Sequence, residues 1–187
     1  MIQTIHIGHL LRETVASPYR NLVTRPTGAA IRNRIQETMA DSDCLTALLD
    51  FSGIELLDFS CADEVVAKLL LRYVAAERAD REAYFLFRGV TDDHWDAIET
   101  VLERHSLALV LETDDGARVV GMVDDGERVA WEKVYELGRT GPADLATALG
   151  GQESDAEAVL DALHRRRLVM RTDEGYIAVG GIGIRHG

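Results

Sequence analysis

The apolar positions of this chain fall into short runs that suit strands and into stripes three and four apart that suit helices. Residues 2–7 read as an opening strand, and 10–24 as a short helix and loop. Arg25-Pro26-Thr27-Gly28 looks like a helix start, because proline fits the first turn, and Ala30, Ile31, Ile35 and Met39 follow at helical spacing. The run Leu45–Phe51 is too short for a helix and stops at Ser52-Gly53, which predicts a buried strand and a turn. A second apolar piece, Ile54–Leu57, leads to Asp58. Ser60 then stands where a helix N-cap is expected, with Asp63 three residues on. The predicted helix runs from Cys61 to Glu77, with Val65, Val66, Leu69, Leu70 and Tyr73 as its apolar stripe. Residues 83–87 return to strand, 92–105 to helix with Trp95, Ile98, Val101 and Leu102 inward, and 107–111 to strand. This alternation predicts parallel strands with helices packed on the sheet.

The pattern changes after residue 107. Two strand-like runs, 107–113 and 118–123, flank Asp114-Asp115-Gly116-Ala117, a hairpin signal. Helical spacing then covers 127–137, a short helix follows from Pro142 to Leu149, and Ser154 is placed to cap a third helix. Residues 168–171 and 176–179 bracket the turn Thr172-Asp173-Glu174-Gly175. The tail 180–184 has no phosphate-loop spacing. Two units result: an α/β domain over 1–123 and a helical domain with a β-hairpin over 124–187. Asp124-Asp125-Gly126 is too short for a free linker, so the two are expected to share an interface.

Net charge sharpens the picture. Residues 1–123 hold 12 basic and 20 acidic side chains, and residues 124–187 hold 8 and 12, so both parts contribute to the total of −12. An acidic surface disfavours nonspecific binding to nucleic acid or anionic membrane and favours protein partners. No stretch approaches the roughly 20 apolar residues of a membrane span, and the N-terminus lacks the basic start of a secretory signal. The only cysteines, Cys44 and Cys61, fit neither a zinc site nor a disulfide framework. A cytoplasmic protein with reduced thiols is the expectation.

Catalytic chemistry finds little support. His6 and His9 would lie on opposite faces of a strand, with no carboxylate or cysteine pair joining them. His94, His105 and His164 lack a zinc-type motif. Cys61 has no His or Asn partner nameable from sequence. Asp50 and Asp58 fit turn and cap roles. The expectation is a protein that is not an enzyme and that uses no metal or cofactor.

The first unit resembles the STAS family (sulfate-transporter and anti-sigma-factor-antagonist domains), and within it the bacterial STAS-like variants. The resemblance rests on Asp50-Phe51-Ser52-Gly53-Ile54, on Asp58, and on the helix opened by Ser60-Cys61-Ala62-Asp63-Glu64, with Arg25 and Gly28 in support. It implies a four- or five-stranded sheet with helices on one side. It also implies regulation by protein–protein binding, commonly with a serine-kinase-type ATPase. The family's antagonists carry a phosphorylatable serine directly after the aspartate that matches Asp58. Here Phe59 holds that position, which leaves Ser60 as the candidate phosphorylation site. Ser52, Gly53, Asp58, Ser60, Cys61 and Asp63 are the candidate partner-binding residues.

The second unit resembles winged-helix domains on Gly141-Pro142-Ala143-Asp144-Leu145-Ala146, the helix 154–166 and Arg167-Leu168-Val169-Met170. In a DNA reader the second helix of the motif presents its N-terminal residues to base edges. Glu153, Asp155 and Glu157 there would repel phosphates. Arg165, Arg166, Arg167 and Arg171 are the candidate nucleic-acid contacts. Two functions follow as expectations. One is a bacterial partner-switching regulator akin to anti-sigma-factor antagonists. The other is a DNA-binding transcription regulator with a STAS-like sensor or dimerisation domain. The hairpin 107–123 offers a sheet edge to a second copy, so a homodimer is a further expectation.

Overall fold

Every strand of the main sheet is followed by a helix or enters from one, and the chain order shows how. β1 (Ile2–His6) passes without a loop into α1 (Ile7–Val15); β2 (Asn21–Leu22), α2 (Arg25–Asp41), β3 (Thr46–Asp50) and β4 (Leu56–Leu57) follow. One continuous helix comes next, built from α3 (Phe59–Ala62), a π-helical stretch (Asp63–Lys68) and α4 (Leu69–Val74). After β5 (Tyr84–Arg88) and α5 (Asp92–His105) comes the hairpin β6 (Ala108–Thr113) and β7 (Gly116–Gly121). The remainder is α6 (Asp125–Leu137), β8 (Arg139–Thr140), α7 (Pro142–Leu149), α8 (Glu153–Arg165), β9 (Val169–Thr172) and β10 (Gly175–Ala178). The structure, a computed structural model, describes residues 1–15, 20–74 and 82–181.

The five-stranded sheet has the order β1-β3-β5-β6-β7, parallel except for the antiparallel β6–β7 hairpin. β2 and β4 form a small parallel pair beside it, and β8-β10-β9 form a separate antiparallel sheet. This is an α/β fold with a mixed sheet. No helix among the described residues is long and apolar enough to cross a membrane.

Both faces of the main sheet are covered, which explains why its central strands are apolar throughout rather than alternating. Ile5, Leu49, Phe87 and Leu111 point to one face and share a core with the buried residues of α1, α2, α3–α4 and α5. Leu48, Tyr84, Leu86 and Val110 point to the other, in one core with Trp131, Leu160 and Ile177 from the last third of the chain. Residues 124–181 are therefore laid onto the sheet. Arg128 donates to the Val119 carbonyl at 2.9 Å, and the buried Trp131 indole donates to the Leu168 carbonyl at 2.9 Å. A Cβ on Gly180 would stand 2.8 Å from the Ala117 methyl, so the chain crosses the sheet there in close contact.

Several sequence expectations shift. Ile7 opens α1 instead of closing β1. The helix around residue 60 is capped by Asp58, not Ser60, which sits inside the first turn. Gln152, not Ser154, precedes α8. Asp124, read as part of a joint, caps α6 with a reciprocal Asp124–Glu127 capping box. The predicted helix end 75–77 and the tail 182–184 lie outside the described residues.

Candidate functional site

Asp58 organises the strand-turn-helix singled out in the sequence. Its Oδ1 accepts from the Cys61 amide at 2.7 Å, the bond of a helix cap, and its Oδ2 accepts from the Thr24 amide at 3.0 Å. Thr24 has φ 74° and ψ 139°, a positive-φ conformation rare outside glycine that costs about 1–3 kcal/mol. One carboxylate thus secures the start of α3 and the strained entry to α2. The Cys61 thiol donates to the Thr24 carbonyl at 3.0 Å. Burial, with Asp58 close by, pushes that thiol up to about 12.

Behind this loop lies an ion network that the sequence reading did not assemble. Arg25 donates to Asp63 at 2.7 Å and to Glu64 at 2.8 Å, Arg32 donates to Glu64 at 2.5 Å, and Lys68 also pairs with Glu64. The His105 Nε2 lies 3.0 Å from Asp63 Oδ1. Both carboxylates are buried, on consecutive residues that open the π-helical stretch, whose wider turn lets both reach cations on α2. Burial raises their pKa values, but Arg25 and His105 around Asp63, and Lys68 and Arg25 around Glu64, outweigh it and hold both below the usual range. The only local signals were the i,i+7 spacing of Arg25 and Arg32 and the i,i+4 pair Glu64–Lys68.

A second cluster joins the carboxyl ends of three strands. Cross-strand register sets His6 beside Asp50 and Asp50 beside Arg88. Asp50 accepts from the Ser52 amide at 2.9 Å, the Ser52 hydroxyl at 2.5 Å and Arg88 at 2.7 Å, with His6 Nδ1 at 3.2 Å. Among the described residues no group of three or more His, Cys, Asp and Glu side chains is placed to hold a metal ion.

The candidate residues divide accordingly. Ser52 and Gly53 are exposed, and Asp58 and Ser60 half-buried, all on the loop side of the helix start. Cys61 and Asp63 are corrected: both are buried, the first in the core and the second in the ion network, so neither presents a surface to a partner. Beside the loop, two apolar residues that the sequence reading left aside are open to solvent, Leu56 at 54% and Val23 at 39%. The β2–β4 register pairs Asn21 with Leu56 and Leu22 with Leu57. Leu22 and Leu57 therefore point inward, and Val23 and Leu56 share the outer face.

The arginine group divides as well. Arg166 bonds Glu127 at 2.6 Å and the Met122 carbonyl, and Arg167 donates to the Tyr73 carbonyl at 3.0 Å and to Glu82 at 2.9 Å. Through Met122, Tyr73 and Glu82 these two tie the last third of the chain to residues 1–123. Arg165 and Arg171 remain exposed, the latter with its guanidinium 6.0 Å from the Tyr176 ring centre. Glu153, Asp155 and Glu157 are exposed at the start of α8. Compared with known proteins, the chain matches no family model and no curated protein sequence.

Proposed function

We propose that this chain is a non-catalytic regulatory protein that binds a protein partner at the loop leading into α3, in the manner of STAS-like anti-sigma-factor antagonists. The observation that carries the reading is the exposed Leu56–Val23 pair beside an Asp58-locked backbone. Exposed apolar side chains on a pre-organised loop lose little conformational freedom on docking and bury apolar area when they do. Ser52, Gly53, Asp58 and Ser60 form the polar rim of that surface. The parallel strands with their helices on one face support the STAS-like reading of the first unit. Binding is the proposed mechanism, and added charge at Ser60 the proposed means of changing affinity, with a serine-kinase-type ATPase as the proposed class of partner.

The test is capture of partners from bacterial lysate by the tagged chain, with and without nuclease, alongside its Leu56→Glu variant. A protein that survives nuclease and is lost with Leu56→Glu is the expected result. Retention by the variant would remove this surface from the proposal.

One arrangement favours a second reading. Helix, short strand, two helices and a hairpin, with strand order β8-β10-β9, resembles the layout of a winged helix, and Arg165 and Arg171 are exposed on it. A DNA-binding role predicts capture only without nuclease, and loss on substituting those two arginines. The carboxylates at the start of α8 weigh against it.

A further inference from the structure

We infer that the chain pairs with a second copy of itself through the free edge of β1, joining two five-stranded sheets into one. The main sheet has two edges, and they are not alike. β7 is blunted: Arg128 occupies its Val119 carbonyl, Arg118 is exposed along it, and Gly116 and Gly121 at its ends have positive φ. Charged side chains and irregular ends of this kind keep an edge from pairing. β1 has none of these devices. It is five residues, Ile2-Gln3-Thr4-Ile5-His6, with no proline, lysine or glycine, and it pairs fully with β3 on one side. Among the described residues no backbone hydrogen bond from a loop reaches it from the other side. Half of its backbone donors and acceptors thus stand ready for another strand.

Charge selects the partner. The chain carries −12 overall, which opposes self-association over most of its surface, yet its first acidic residue is Glu13. β1 itself carries no carboxylate, and the nearby Asp50 is bonded to Arg88 and paired with His6, so two copies meet along this strand without acid opposite acid. Sequence makes it self-complementary as well. An antiparallel two-fold centred on Thr4 places Thr4 opposite Thr4, Gln3 opposite Ile5 and Ile2 opposite His6, so no like-charged acids face each other, and threonine pairs well with threonine across strands. Two-fold pairing with the same patch on both copies is the commonest closed assembly. This moves the expected dimer surface from the 107–123 hairpin to the opposite edge.

The experiment follows mass against concentration for the full chain by sedimentation equilibrium, with Thr4→Lys and Thr4→Glu measured separately and mixed. Thr4 is exposed, and circular dichroism and melting confirm that each variant folds. A wild-type dimer, weakened at least about tenfold in either single variant and restored on mixing the two, is the expected result, because opposite charges then face each other across the two-fold. A single-chain mass up to about 1 mM, where even weak pairing registers, would overturn the inference. So would a dimer that ignores Thr4→Lys or that dissociates instead on Arg118→Glu. None of these outcomes bears on partner binding at Leu56, which the lysate capture reads independently.

Discussion

Asp50 ends β3 with its carboxylate shared among the Ser52 amide and hydroxyl, Arg88 and His6. Burial alone would raise its pKa, but the Ser52 and Arg88 bonds prevail and bring it from 3.8 to about 2. A carboxylate whose folded pKa is depressed stabilises the fold above its unfolded pKa and loses that contribution as pH falls through the folded value. Asp50 should therefore contribute about 2 kcal/mol at neutral pH, lost between about pH 4 and pH 2. Urea unfolding of the wild type and Asp50→Asn across that range checks it: the variant starts less stable and shows the shallower acid slope. The sequence reading assigned Asp50 a turn role, and the Ser52 bonds are of that kind. Arg88 and His6 come from other strands, and nothing in the local pattern around residue 50 announces them.

At the scale of elements, the crossing of α2 and α3 decides how tightly the candidate loop is held. A Cβ on Gly28 would lie 2.9 Å from the Cys61 Cα and 3.0 Å from the Glu64 Cβ, so the two helices touch there through the absence of a side chain. Gly28→Ala should cost about 1–3 kcal/mol despite alanine's better helix propensity. Gly151→Ala, where nothing stands within 4 Å, should cost far less. Thermal melts of the two variants make the comparison. Sequence patterning found α2, α5 and most strands because their stripes and runs are long. It missed the cap of α3 by two residues because Ser60-x-x-Asp63 matches the local rule, while Asp58 also serves Thr24 from a distant segment. β8 and β2, two residues each, have no period to detect.

For the molecule as a whole, the sheet's two apolar faces make its two units interdependent. The apolar character of β5 and β6 was legible, and so was the helical character of residues 127–163. The short joint at 124–126 implied a shared interface, but not that it lies on the face of the sheet, because a buried strand reads alike whatever lies above it. Residues 1–123 expressed alone should expose Leu48, Tyr84, Leu86 and Val110, and so bind a hydrophobic dye and self-associate. A soluble, dye-silent fragment with native-like melting would show that the sheet does not need its cover.

The same arrangement sets an order in time. The ribosome releases the sheet strands before α6 to β10, so for a few seconds of synthesis, at about 5–20 residues per second, one apolar face is complete and bare. Arg128, which bonds the Val119 carbonyl, is made early in this segment, whereas Arg166 and Arg167, which bond Met122, Tyr73 and Glu82, are made late in it. The bare face is thus open to misassociation until those two arginines have emerged. Expression hosts slow in elongation, or short of chaperones that shield apolar surfaces, are where its yield of native protein should fall first.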